Sequence, residues 1–226
     1  MRIGIIAEGH SDIPVIRSIL KGVAGIEGNQ IIPLMPRDVF DETQIAQMGI
    51  DFTHGTWSLV KRVCIEKKSI EEFLDGLAGE ALVVIHLDTD VVEEPNFCGS
   101  RPAKNKDDLV DYSIRLREQV VLAIDSWLGD SYKTRALHAV AIEAIEAWLL
   151  PLHVPVLRKD TSGILKPKDK LLDILSKNQK SRNRRLIPYD YVDLSKDLRA
   201  KKSLALARSK SKSLDLFCEE LEQIVN

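Results

Sequence analysis

Four apolar runs divide the first 150 residues, and each stops abruptly at charged or turn-forming residues. Residues 2–7 read as a buried parallel strand bounded by Glu8 and Gly9. Residues 30–35 read as a second strand closed by Pro36, and 135–142 as a further one. The run ALVVIHL at 81–87 is the strongest strand signal in the chain. Helical patterns alternate with these strands. Ser11 or Asp12 caps a helix with Pro14 in its first turn and an apolar face of Ile13, Ile16, Ile19, Leu20 and Val23. Residues 37–54 read as a long loop with a short helix around 42–48, and 56–77 as helix broken near Lys68. Residues 107–127 form a long amphipathic helix capped by Asp107 or Asp108, and 143–150 begin a helix that Pro151 stops. Segment 91–106, with Pro95, Asn96, Gly99, Pro102 and Asn105, is a functional or mobile loop. This alternation predicts an α/β fold: a central, mostly parallel sheet flanked by helices. Beyond Pro155 the pattern weakens, with helices at 168–176 and 213–225 and a basic, poorly patterned stretch between them. The expected division is therefore an α/β domain at 1–155 and a basic, mainly helical C-terminal extension at 156–226 packed on it.

Composition alters this picture little. At 226 residues and 44% hydrophobic, the chain can bury a full core. No run approaches the roughly 20 apolar residues needed to span a bilayer, and the first apolar stretch meets Glu8 too early for a signal peptide. Cys64, Cys98 and Cys218 are odd in number and widely spaced, which points to a reducing cytoplasm with no disulfide or zinc framework. Charge is distributed unevenly. Residues 158–212 carry a net charge of +11 and the remainder −13, within an overall −2.

The acidic residues carry the candidate chemistry. Glu8, the Asp88 and Asp90 pair, and Glu143 with Glu146 each follow a strand, where open α/β sheets bind ligands. Asp88 and Asp90 are two apart, so in strand geometry both point to one side. On the predicted helix Glu143 and Glu146 share a face, although glutamates there also suit the helix dipole without any further role. Converging carboxylates repel unless protonated or neutralised, and hard oxygen donors favour Mg²⁺ or Mn²⁺. Gly9 permits close approach of a ligand to the backbone, and with Ser11 opens a helix whose N-terminus suits a phosphate. His10 reads as a surface residue. Together these features describe a metal-dependent enzyme acting on a phosphate compound.

The ordered strings EGHSD, LDTD and EAIEAW resemble the TOPRIM superfamily, in particular small bacterial TOPRIM-like proteins related to OLD-family nucleases. The likeness covers roughly residues 1–150 and would make 1–155 a TOPRIM-like catalytic domain. It implies that Glu8, Asp88 and Asp90 serve metal binding and acid–base catalysis, and that Glu146 adds a further acidic position in both roles. Glu143 fits the last string only loosely. The activity implied is Mg²⁺- or Mn²⁺-dependent hydrolysis of nucleic-acid phosphodiesters, in relatives that include phage-defence effectors accompanied by an ATPase partner.

The basic third resembles nothing nameable. Lys180, Arg182, Arg184 and Arg185 crowd one segment, with Tyr189 and Tyr191 behind, and Lys201 and Lys202 form another cluster. Such residues are candidates for phosphate contact, and the tyrosines for stacking on unpaired bases. Two other readings stay open. One is a regulatory or toxin-like subunit held by a partner ATPase; the other is a nucleotide-sugar transferase using its DxD pair to hold metal. DNA versus RNA, one metal versus two, and assembly into a homo-oligomer are left undecided.

Overall fold

The structure, a computed structural model, describes residues 1–36, 56–76, 80–97, 99–105, 107–154, 157–178 and 186–225. Strands β1 (Arg2–Ile6), β2 (Ile31–Met35), β3 (Ala81–Asp88) and β4 (Ala136–Ala141) form one sheet in the order β2-β1-β3-β4, parallel throughout. Helices α1 (Asp12–Ala24), α2 (Trp57–Glu66), α3 (Lys68–Asp75), α4 (Leu109–Leu128) and the short α5 (Asp130–Lys133) lie between strands. After β4 come α6 (Glu146–His153), α7 (Pro167–Asn178), α8 (Pro188–Ser195), α9 (Lys201–Arg208) and α10 (Lys212–Val225). This is the expected α/β architecture with a parallel sheet and a helical C-terminus. The break near Lys68 falls at Lys67, whose φ of 61° ends α2 and opens α3.

The sheet is apolar on both faces because helices cover both. Along β3 the side chains alternate. Val83, Ile85 and Leu87 join a core with Trp57, Val60, Phe73, Leu116 and Val120 from α2, α3 and α4. Val84 faces the other way, into a core shared with Ile3, Ile5, Leu137 and Ala139 of the sheet and with α1 and α6. That second core also takes Leu171, Tyr191, Leu198, Leu204, Leu214, Phe217 and Leu221, so the helices after residue 157 cover this face. Trp148 of α6 is fully buried at its centre, donating from Nε1 to Ser213 Oγ at 2.9 Å and stacking on Phe217 at 5.9 Å. Gly22 shows how closely these parts approach, since an added Cβ would lie 2.1 Å from the Leu198 carbonyl oxygen.

Two local expectations fail. The helix expected from Glu143 starts at Glu146 and runs through Pro151 to His153. A proline interrupts a helix by about 3 kcal/mol, but burial of each large apolar side chain contributes about 1.5–3 kcal/mol. Trp148, Leu149 and Leu150 are all fully buried, which outweighs the proline. The poorly patterned basic stretch also holds two helices, α8 and α9, whose few inward residues (Tyr191, Ser195, Leu204 and Ala207) suffice because charged residues cover the rest. The short helix expected around 42–48 and Cys98 lie outside the described residues. No helix among the described residues is long and apolar enough to cross a membrane.

An ionic network ties α10 and α4 to β4. His138 is buried, with Nδ1 2.6 Å from Glu220 Oε1 and Nε2 2.9 Å from Asp125 Oδ1. Arg117 donates to Glu220 Oε2 at 2.6 Å. Burial opposes both charges, yet the pairing outweighs it, so His138 is raised above 6.5 and Glu220 held below 4.5. The His138 contribution is complete below its ordinary value and fades as pH rises through the raised one. That of Glu220 is complete above its ordinary value and fades as pH falls through the lowered one. His138→Ala is therefore expected to lose most stability, about 3 kcal/mol, between these two ordinary values. Urea unfolding at pH 5.5 and 9.5 checks this, with the larger difference expected at the lower pH.

Candidate active site

The strand order places a topological switch point between β1 and β3, because the chain leaves β1 toward β2 on one side and returns to β3 on the other. Beyond the carboxyl ends of two such strands the sheet opens a crevice. Glu8 follows β1 and reaches across it. Its Oε1 accepts the Asp88 backbone N–H at 2.7 Å and its Oε2 accepts the Thr56 hydroxyl at 3.1 Å. Burial pushes the Glu8 carboxyl up to about 7, with the Asp12 and Asp90 carboxylates adding to the effect and the Asp88 amide and His86 opposing it.

Beneath Asp88 lies a residue that sequence reasoning missed. His86 is fully buried on the same side of β3, two residues earlier. Its Nδ1 sits 2.6 Å from the Ala139 carbonyl oxygen and so must carry a proton. Its Nε2 lies 3.3 Å from Asp88 Oδ1 and 3.7 Å from Asp12 Oδ2. Burial disfavours an imidazolium, but Asp12, Asp88 and Glu8 outweigh that and raise His86 to about 9. Burial raises Asp88 too, despite His86. The period of two along HLD was the signal available for His86. Asp12, considered only as a helix cap, is nearly fully buried and accepts the Gly9 amide at 2.8 Å. In this arrangement the Gly9 N–H is therefore committed to a carboxylate and not free for phosphate. Ser11 Oγ donates to Asp12 at 3.2 Å and lines the crevice. His10 is exposed.

Asp90 and Glu143 are organised by Arg101, another residue that composition did not mark. Its Nη1 donates to Glu143 Oε1 at 2.9 Å, and its Nη2 to the carbonyls of Thr89 at 2.8 Å and Asp90 at 3.1 Å. The Thr89 hydroxyl accepts the Glu143 N–H at 2.8 Å. These bonds hold Glu143 at a φ of 67°, a conformation that costs a non-glycine residue about 1–3 kcal/mol. Glu143 is thus outside the helix, and the expected shared face with Glu146 does not exist. Burial and the Glu143 carboxylate raise the Asp90 carboxyl. Because Glu143 is buried and would keep only the more distant Lys104 ammonium at 3.7 Å, Arg101→Ala should destabilise the protein by about 1–3 kcal/mol in urea unfolding.

Asp12, Asp88, Asp90, Glu143 and Glu146 line a single cavity of about 300 Å³. Lys166, Lys168 and Asp169, at the start of α7, also line it. Glu8 adjoins this cavity through the Asp88 amide but is not part of its lining. Glu146 is buried and accepts a short hydrogen bond from the Tyr191 hydroxyl. Tyr191 is itself buried, so it is not available to stack on a base, whereas Tyr189 is exposed. Compared with known protein families, curated proteins and solved structures, the chain has no match.

The donor set can be tested against the cation implied by the TOPRIM resemblance. Asp88 Oδ1 is buried, and beyond its ionic contact with His86 Nε2 at 3.3 Å it has no well-formed hydrogen bond among the described residues. Glu8, Asp88 and Asp90 are all raised, first by burial and then by neighbouring carboxylates, so their charged forms are disfavoured where they stand. All are hard oxygen donors suited to Mg²⁺ or Mn²⁺. As the side chains stand, no three His, Cys, Asp or Glu among the described residues are arranged to hold an ion. The chemistry fits, and binding would require the carboxylates to turn inward.

The basic residues divide into three groups. Lys180, Arg182, Arg184 and Arg185 lie outside the described residues. Lys201 and Lys202 are exposed in the first turn of α9. Arg208 and Lys212 are neutralised within the fold, Arg208 by Asp215 and Glu222 and Lys212 by Asp215 and Glu219.

Proposed function

We propose that the protein is a Mg²⁺- or Mn²⁺-dependent nuclease that hydrolyses phosphodiester bonds in a TOPRIM-like acidic site. The observation that carries this reading is the meeting of Asp12, Asp88 and Asp90 in one cavity at the sheet's switch point, with Lys166 and Lys168 in the same lining. Carboxylates suit a divalent cation and lysines suit a phosphate, so one lining carries groups for both parts of a metal-bound phosphate ester. Asp88 and Asp90 would hold the cation, with Glu146 completing the acidic wall. A bound Mg²⁺ or Mn²⁺ would supply Lewis-acid stabilisation of the phosphate and lower the pKa of the attacking water. Glu8, oriented by the Asp88 amide and Thr56, would act as a ligand or as the general base beside the cation. Lys166 and Lys168 would orient the phosphate, and exposed Lys201 and Lys202 would hold more distant backbone.

The test is incubation of wild type and Glu8→Ala with plasmid, single-stranded DNA and total RNA, with Mg²⁺ or Mn²⁺ and with EDTA. Cleavage by the wild type that EDTA and Glu8→Ala both abolish is the expected result. If no substrate is cut with either metal, the reading of a nuclease active on its own falls, leaving that of a partner-dependent subunit. Nucleic-acid affinity should also drop steeply with added salt, and an affinity unchanged between low and physiological salt would exclude phosphate contacts.

A further inference from the structure

A second pocket adjoins the acidic cavity and differs from it in chemistry. It has a volume of about 450 Å³, within the usual range for small-molecule sites, and its lining is mainly apolar, from Leu109, Leu157, Ile164 and Leu165. The two linings meet at consecutive residues and through one ionic contact. Gly163, Ile164 and Leu165 face the apolar pocket, and the next residues, Lys166 to Lys168, face the acidic one. Lys104 belongs to the apolar pocket, yet its ammonium lies 3.7 Å from Glu143 Oε1, which lines the acidic cavity. That ammonium is buried, sits 4.9 Å from the centre of the Tyr112 ring and has no hydrogen-bond partner among the described residues. Leu165 is 69% exposed at the pocket, a large apolar side chain left to water.

We propose that this pocket seats the base of a nucleotide whose phosphate lies in the adjoining acidic cavity. The inference rests on the reading of that cavity as a phosphate site and adds the substrate class to it. A nucleotide has an apolar, flat ring system joined through a sugar to an anion, and the paired pockets offer an apolar space joined to a cation-and-lysine site. Lys104, at the junction, is placed to donate to a sugar or phosphate oxygen between them. A base enclosed by Leu109, Ile164 and Leu165 is out of its stack, so the substrate is a single strand, a strand end or a flipped nucleotide, not an intact duplex. Gly163 packs against Leu109 in this lining, where an added Cβ would come 2.7 Å from Leu109 Cδ1 and push that flexible side chain aside.

The experiment compares, in Mg²⁺, the affinities of nucleoside 5′-monophosphates in ribo and deoxy form with those of ribose 5-phosphate and deoxyribose 5-phosphate. The nucleotides are expected to bind at least about 10-fold tighter than the base-free sugars, a difference of about 1.4 kcal/mol. Of the two nucleotide forms, the tighter-binding one identifies RNA or DNA as the source. Leu165→Asp, at an exposed position, should bring nucleotide affinity down to that of the sugar phosphate. Asp90→Asn should weaken nucleotides and sugar phosphates alike. If nucleotides and sugar phosphates bind equally, the base site is overturned and the phosphate site stands. If neither binds, both readings fall together. A duplex that binds as tightly as its single strand would overturn the requirement for an unstacked base.

Discussion

On the proposed metal-nuclease reading, Asp88→Asn is expected to lower metal-dependent cleavage by about 10³-fold or more while leaving the fold intact. Removing a carboxylate that holds the catalytic cation withdraws several kcal/mol of transition-state stabilisation, and each 1.36 kcal/mol is a factor of ten in rate. The same change should alter stability little, because relief of the buried Asp88 charge offsets the loss of its pairing with His86. Burial raises the Asp88 carboxyl well above 3.8, which means that the folded state disfavours its charge. A carboxyl raised on folding makes stability fall as pH climbs above the ordinary value, so the neutral amide is relieved of a penalty at neutral pH. The Asp88 N–H to Glu8 is a backbone bond and survives the substitution. Titration calorimetry with Mn²⁺, cleavage assays and urea unfolding at neutral pH check the three parts. Retained cleavage with full Mn²⁺ affinity would remove Asp88 from the site.

Trp148→Ala is expected to be the most destabilising single change, at about 3–5 kcal/mol, the usual range for truncating a buried aromatic. For a chain of this size that lowers the melting temperature by roughly 6–20 °C. The indole is fully buried, stacks on Phe217 and donates to Ser213, so its loss opens a cavity and leaves the Ser213 hydroxyl without its donor. Trp148→Phe should lose less, because the ring stack persists and only the hydrogen bond and part of the volume disappear. Thermal unfolding of both variants measures the difference. A melting temperature unchanged in Trp148→Ala would show that α6 and α10 are not held to the sheet through this ring.

Much of the fold is legible in the chain, because each strand is short, apolar and followed by a clear stop. The ends of β1, β3 and β4 fall within a residue or two of where the apolar runs end, so Glu8 and Asp88 are recognisable as strand-end residues from sequence. The local reading failed where tertiary burial overrode it. Pro151 predicts a helix stop, but the buried Trp148, Leu149 and Leu150 carry the helix past it. Glu143 and Glu146 have helical spacing, but Arg101 and Thr89 fix Glu143 in a left-handed backbone conformation before the helix begins. Arg101 could not have been singled out, because nothing in segment 91–106 says which of its residues turns inward.

The three acidic strings were determined by sequence alone: their order, their residue types and their position at the ends of apolar runs. So were the parallel α/β class and the asymmetry of charge. Only the tertiary structure decided which carboxylates share a cavity. It put Asp12 in the lining, placed Glu8 beside it, set His86 beneath Asp88 and closed Glu146 with Tyr191. The reason is physical. Periodicity and turn chemistry act over a few residues and so are written locally, whereas a site depends on which strand neighbours which and on residues tens or hundreds of positions apart. Here the crossing from β2 past β1 to β3 makes the crevice, and helices from the far end of the chain supply its lysines and its tyrosine.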